Sequence, residues 1–193
     1  MKKNFDNVKD SGKRQAFNTG SVRDTSEGKG MPHLIAGEAY AKIISKCNIK
    51  GDHLLFEIEK RLNLYNTIVK NKEENIKFIY ESIGLVKQYI AKITDNTYYS
   101  IMVRLANHYA NGAKKYAKNN WRKGQPISRY YDSAMRHLWK MIDGLEDEDH
   151  PAALYWNLLA IVQTKIDIEK GLLPKELNDF PFTIEETFLK KDK

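Results

Sequence analysis

A chain of 193 residues with 41% hydrophobic residues can bury a real core, and its length fits one domain or one domain with a long insertion. A single cysteine, Cys47, excludes an intramolecular disulfide framework and a cysteine-based zinc site. Lys and Arg outnumber Asp and Glu by 32 to 25, a net charge of +7 that favours polyanions, whether nucleic acid or nucleotide.

That positive charge is scattered, with no long basic block. This argues against a dedicated nucleic-acid tail and fits a lysine-rich solvated surface equally well. No apolar run approaches the ~18 residues of a membrane span. The start, M-K-K-N-F-D-N-V-K-D, is basic but has no apolar stretch behind it, so no secretory signal is expected and a cytoplasmic location is.

Residues 1–31 are polar and without periodicity, and are expected to form an arm. Within the run R-D-T-S-E-G-K-G, Lys29 is placed to reach a phosphate, although the run is not a Walker A loop. From Pro32 the pattern becomes helical. Tyr40, Ile43, Ile44 and Cys47 share one face, and Glu38 lies in the first turn, where the macrodipole favours an acid; a metal-ligand role is the alternative. Asp52 is a plausible cap for a second helix with Leu54, Leu55, Ile58, Leu62, Tyr65 and Val69 on its inner side. Ile76, Ile79, Tyr80, Ile83, Val86, Ile90 and Ile93 predict a third.

A fourth helix is expected from Asp95-Asn96, with Ile101, Met102, Leu105 and Ala113 inward and Lys114 and Lys115 near its end, where cations suit the exposed carbonyls. Trp121 then sits in a basic loop, suited either to stacking on a base or to anchoring the loop. Ser128 is the expected cap of a fifth helix with Tyr131, Met135, Leu138 and Ile142 buried. Its polar stripe, Asp132, Arg136, Lys140 and Asp143, suggests a surface ion pair between Asp132 and Arg136, with His137 between the two faces.

Gly144 can end that helix. Four consecutive acids, Glu146, Asp147, Glu148 and Asp149, follow it. Like charges so close repel unless a cation sits among them. Either a divalent metal is held there, or the acids decorate the positive start of the next helix at Pro151. From Pro151 to Val162 that sixth helix is apolar apart from Asn157, which needs hydrogen-bond partners if buried. The sequence therefore predicts an all-α fold of about six helices in a bundle behind a polar N-terminal arm. The helical domain spans 32–170 with an inserted hairpin at about 50–95, and 171–193 is a tail.

Five blocks together resemble a phage and bacterial family, the dATP/dGTP diphosphohydrolase N-terminal domain, allied by chemistry with the MazG-like all-α nucleotide pyrophosphohydrolases. They are S-G-K-R-Q-A-F, R-D-T-S-E-G-K-G-M-P-H-L-I, H-Y-A-N-G-A-K-K-Y-A-K-N-N-W-R-K-G, R-Y-Y-D-S-A-M-R-H-L and E-D-E-D-H-P-A-A-L-Y-W-N-L-L-A. The resemblance implies hydrolysis of a purine (deoxy)nucleoside triphosphate to monophosphate and pyrophosphate with Mg2+ or Mn2+. It further implies a nucleotide-pool or anti-defence role in the host cytoplasm if phage-encoded, and, by analogy with other all-α nucleotide hydrolases, a homo-oligomer.

On this reading Glu146, Asp147 and Asp149 are the catalytic and metal-binding acids, with Glu38 and Asp132 as helpers. Lys29, Lys114, Lys115, Arg136, His137 and Asn157 bind the nucleotide, and Trp121 or Trp156 stacks on its base. Glu146 to Asp149 supplies the E-x-x-D of MazG-like enzymes, but no upstream E-x-x-E lies in the matching blocks. A complete two-metal carboxylate set is not visible, which keeps open a second reading, a protein that sequesters a nucleotide without cleaving it.

Overall fold

The computed structural model describes residues 12–25, 29–46, 51–94 and 98–189, with the backbone alone for 43–46. Among them are six α-helices: α1 (Gly37–Lys46), α2 (His53–Tyr65), α3 (Ile76–Ile93), α4 (Tyr98–Tyr116), α5 (Ile127–Ile142) and α6 (His150–Glu169). The fold is all-α apart from a small antiparallel hairpin in the arm. Its strands are β1 (Arg14–Ala16) and β2 (Val22–Asp24), with Arg14 opposite Asp24. The sequence did not suggest it, because strands of three residues are too short to show an alternation.

α5 and α6 pack along each other at the centre. α3 and α4 lie on α6, α2 bridges α3 and α5, and α1 rests on α2. This explains why α6 has no polar side: Ala152, Leu154, Leu158, Ala160, Ile161 and Thr164 are all buried, covering more than one face. Each fully buried leucine or isoleucine in this core contributes roughly 2 kcal/mol. Gly37 marks the tightest approach of α1 to α2. A Cβ there would lie 2.3 Å from the Asn63 carbonyl oxygen and 2.4 Å from that of Asn66.

Helix ends position the site. Asp52 caps α2, accepting from the Leu54 N–H at 3.0 Å. α5 starts one residue before the expected cap, Ser128. The capping carboxylate is instead Asp179 in the tail, which accepts from the Ser128 N–H at 2.9 Å and from its hydroxyl at 2.5 Å. The tail is held by Phe180, buried with its ring 4.7 Å from Tyr131 and 5.6 Å from Tyr65. Gly144 (φ 70°) ends α5 in a left-handed turn. There the Leu145 N–H reaches back to the Lys140 carbonyl at 2.8 Å and the Gly144 N–H to that of Met141 at 3.1 Å. The chain thereby reverses into the acidic turn, and Asp149 caps α6 by accepting from the Ala152 N–H at 3.0 Å.

Some expectations shift. On α3, Ile79, Val86 and Ile90 are buried, but Tyr80 and Ile93 are exposed. Cys47, Asp95-Asn96, Ser11 and Ser26–Gly28 lie outside the described residues, as do the side chains of Ile43 and Ile44.

Candidate functional site

The hairpin is fixed to α4 by one carboxylate. Asp24 accepts from Lys115 Nζ at 2.8 Å, from the Tyr116 hydroxyl at 2.9 Å and from Arg14 at 2.9 Å. The Asn120 side chain holds β2 by both ends, donating to the Val22 carbonyl and accepting from its N–H. Hairpin, α4, α5 and α6 then enclose a cavity of about 860 Å³.

Three kinds of group line it. The first is cationic: Arg23, Lys29, Lys118, Arg129, Arg136 and Lys140. Arg23 is held in place. It donates to the Asn157 side-chain oxygen at 3.0 Å and to Gln125 at 3.3 Å, and lies over Tyr130 and Trp156 at 5.5 and 5.8 Å. Asn157 donates to the Ala153 carbonyl at 2.8 Å, so this buried amide is satisfied by that carbonyl and a distant arginine. Arg136 differs: its Nη1 is buried and has no hydrogen-bond partner among the described residues. Burial lowers Arg136 to about 10, with Arg23 adding to the fall, and it stays charged at neutral pH. Burial also lowers Lys29; Asp24 opposes this, while Arg136 and Arg23 reinforce it. Cations crowded into one cavity in this way destabilise each other, and an anionic ligand relieves that.

The second group is an aromatic wall. Trp121 meets Tyr109 at 5.5 Å, Tyr109 meets Trp156 at 6.2 Å, and Trp156 meets His108 at 5.6 Å. Burial holds His108 below the usual imidazole range against the pull of Glu148 and Asp149, so its ring is neutral at pH 7.

The third is part of a cluster at the α5–α6 junction, whose His137 and Glu148 line the cavity and whose His150 adjoins them. His137, Glu148 and His150 present ligand atoms that all lie within 4.8 Å of one another. The two Nδ1 atoms are 3.1 Å apart, and Glu148 Oε1 lies 3.2 Å from that of His137 and 3.5 Å from that of His150. Burial pushes His137 down to about 3, against the opposing field of Glu148, so its ring is neutral. The His150 Nε2 stands 2.7 Å from Asp147 Oδ1. A carboxylate accepts only, so this nitrogen donates to it and the ring is held with Nδ1 toward His137 and Glu148. Two imidazole nitrogens and one carboxylate oxygen facing one point suit a divalent cation, and two imidazoles with a carboxylate form a recognised ligand set.

The residues singled out from the sequence are distributed as follows. Lys29, Trp121, Arg136, His137 and Asn157 line the cavity. Lys115 is bound to Asp24 with its side chain 8% exposed, and Lys114 is exposed outside the lining. Of the acidic turn, Glu148 lines the cavity, Asp147 joins His150 and Lys140, Asp149 caps α6 and pairs with Arg104 at 2.7 Å, and Glu146 is exposed. Glu38 is exposed and pairs with Lys42 at 2.7 Å. Asp132 is buried at 1% exposure and accepts from the His33 N–H at 2.9 Å and from its ring at 2.9 Å. The expected surface pair of Asp132 with Arg136 does not form, because α5 is covered on both sides. Sequence reasoning passed over Arg23, His108, Arg129, Glu148 and His150. The E-x-H spacing of Glu148 and His150, close after His137, is the signal that could have shown the cluster.

Fold and site thus define an all-α protein whose cavity joins a cationic lining to a His/Glu cluster able to hold a divalent cation. Residues 92–171 match the model of a family described as dATP/dGTP diphosphohydrolase, N-terminal. The match supports the resemblance through its three blocks from His108 to Ala160, while the two blocks between Ser11 and Ile35 lie outside it. No curated protein and no solved structure matches the chain. No helix of the described residues is long and apolar enough to cross a membrane.

Proposed function

We propose that this protein hydrolyses a purine deoxynucleoside triphosphate, dATP or dGTP, to the monophosphate and pyrophosphate. The observation that carries this reading is the buried Nη1 of Arg136, without a hydrogen-bond partner among the described residues, in the same cavity as His137 and Glu148 of the His/Glu cluster. A guanidinium nitrogen without an acceptor suits a phosphate oxygen. The aromatic wall gives the base a stacking surface, with Trp121 and Trp156 as the broadest faces.

In the reaction a water oxygen bonds to the α-phosphorus. The bond from that phosphorus to the bridging oxygen breaks, and pyrophosphate leaves with the electron pair. Charge builds on the leaving group, and Arg23, Lys29, Arg129 and Arg136, all lining the cavity, supply the compensating field. His108, neutral and unprotonated on one nitrogen, takes the proton lost by the water, and Glu148 and Asp149 stabilise the resulting imidazolium. His137, Glu148 and His150 would hold a divalent ion, which would supply Lewis-acid polarisation of the phosphate and a more acidic water. Asn157 fixes Arg23, and Asp24 with Lys115 fixes the hairpin that carries it.

The test is incubation of the full chain with dATP or dGTP and Mn2+, with separation of the products. Monophosphate and pyrophosphate in equal amounts are expected. The second reading, sequestration without turnover, draws on the placement of Asp149 and Asp147 in pairs with Arg104, Lys140 and His150. It predicts a nucleotide that stabilises the protein and is recovered intact. The homo-oligomer and nucleotide-pool role belong to the same reading through the family resemblance; light scattering on the purified chain measures the first.

A further inference from the structure

We propose that His137, Glu148 and His150 form a site selective for a transition-series divalent cation over Mg2+, with Asp147 as the residue that positions His150. The proposal deepens the hydrolase reading by naming the class of ion, but its test needs no nucleotide.

Three features support it. First, the donors are two imidazole nitrogens and one carboxylate oxygen. Mg2+ demands oxygen in near-octahedral geometry and keeps its waters, whereas Mn2+, Fe2+, Co2+ and Zn2+ accept imidazole readily, with affinity rising along that series up to Co2+. The sequence-based expectation of a carboxylate set built from Glu146, Asp147 and Asp149 suits Mg2+; the cluster that the fold assembles does not.

Second, the site is built rather than incidental. The His150 side chain is 1% exposed and that of Glu148 10%, so neither is a solvated surface group. His137 comes from α5, and Glu148 and His150 from the turn and first residue of α6. The Gly144 turn joins the two helices and sets their spacing. His137 and Glu148 also line the cavity, so the cluster adjoins the space available to a phosphate.

Third, a supporting layer is present. Asp147 Oδ1 holds the His150 Nε2–H at 2.7 Å, and Asp147 Oδ2 is held in turn by Lys140 Nζ at 3.2 Å. A carboxylate behind a histidine ligand sets its tautomer and ring orientation and raises its basicity; removing such a partner typically costs about 10- to 100-fold in metal affinity. Asp147 is thus tied to the cluster through His150, which accounts for one acid of the turn that does not line the cavity.

The experiment is a titration of the metal-stripped full chain, without nucleotide, with Co2+, read by the visible absorption of the bound ion, and with Mn2+, read by electron spin resonance. One Co2+ per chain is expected, with Mg2+ at about a hundred-fold excess leaving the Co2+ spectrum in place. Asp147→Ala weakens Co2+ binding by about 10- to 100-fold and alters the spectrum, and Asp147→Asn, which keeps an acceptor, restores part of the affinity. His137→Ala abolishes the spectrum; should that chain fail to fold by circular dichroism, Glu148→Gln provides the same test. Displacement of Co2+ by equimolar Mg2+, or undiminished binding in folded His137→Ala or Glu148→Gln, overturns the proposal. Unchanged Co2+ affinity in Asp147→Ala overturns the positioning role. A chain that binds Co2+ as expected yet leaves dATP and dGTP intact upholds the metal site and defeats the hydrolase reading instead.

Discussion

Helix α5 carries a histidine–carboxylate grouping on each of two sides, and the two are built differently. On one side Asp132 accepts from the backbone N–H and the ring of His33, which packs edge-on at 6.0 Å against Phe180. Carboxylate and histidine answer each other there, in a setting sealed by the tail. On the other side His137, Glu148 and His150 turn three ligand atoms on one point beside a cavity. The same contrast appears among the cations. Lys115 is matched to Asp24, while Arg136 holds a buried nitrogen with no hydrogen-bond partner among the described residues. Complementary groups fasten a fold. A buried cationic nitrogen without an acceptor among the described residues, beside a cavity, calls for a ligand.

Substitutions on the two sides should therefore separate. Asp132→Ala breaks a buried pair and leaves His33 without its acceptor, so it should cost about 3 kcal/mol in urea unfolding and leave Co2+ affinity unchanged. Lost Co2+ affinity in a folded Asp132 variant would erase the distinction. Arg136→Ala should do the reverse. Turnover falls by about a hundred-fold, comparable to removing one preorganised donor to a developing charge, while the melting temperature holds or rises because a buried nitrogen without an acceptor among the described residues is gone.

Asn157→Ala is intermediate, since it releases Arg23 rather than removing it. We expect KM for the triphosphate to rise about tenfold, with a stability loss of about 1 kcal/mol from the missing hydrogen bonds. Asp179→Ala removes the cap of α5 and should cost about 1 kcal/mol with little change in kcat.

The smallest effect concerns Glu59, buried in the α2 scaffold away from the cavity. Burial raises its carboxyl above the usual range, while hydrogen bonds from Trp139 and Tyr40 pull it back. A raised folded value means that the folded chain binds the proton more tightly than the unfolded one. The penalty is absent below the unfolded value and develops as pH rises through the folded one. Glu59→Gln should therefore raise the melting temperature at neutral pH, with the gain fading as pH falls toward the ordinary glutamate value.

What the sequence disclosed follows from the range of the forces involved. Periodicity located α2, α3, α5 and α6, and local chemistry located the Asp52 cap and the Gly144 turn, because both act within a few residues. The hairpin escaped notice because its order comes from Asn120 and Lys115, about a hundred residues away. Arg23 was hidden for the same reason, since its anchor is Asn157. Within the acidic turn every residue looks alike in sequence. The α5–α6 crossing decides that Glu148 faces the cavity while Asp147 backs His150 and Asp149 caps a helix. The local rule that pairs Asp132 with Arg136 failed because both sides of α5 are covered, and tertiary partners outbid a neighbour four residues away.

Position of bond cleavage tests the central claim most directly. With dGTP, Mn2+ and 18O-labelled water, mass spectrometry of the products should find a single 18O atom in the deoxynucleoside monophosphate and none in the pyrophosphate. Label in released orthophosphate or in pyrophosphate, or a triphosphate recovered whole, would contradict it.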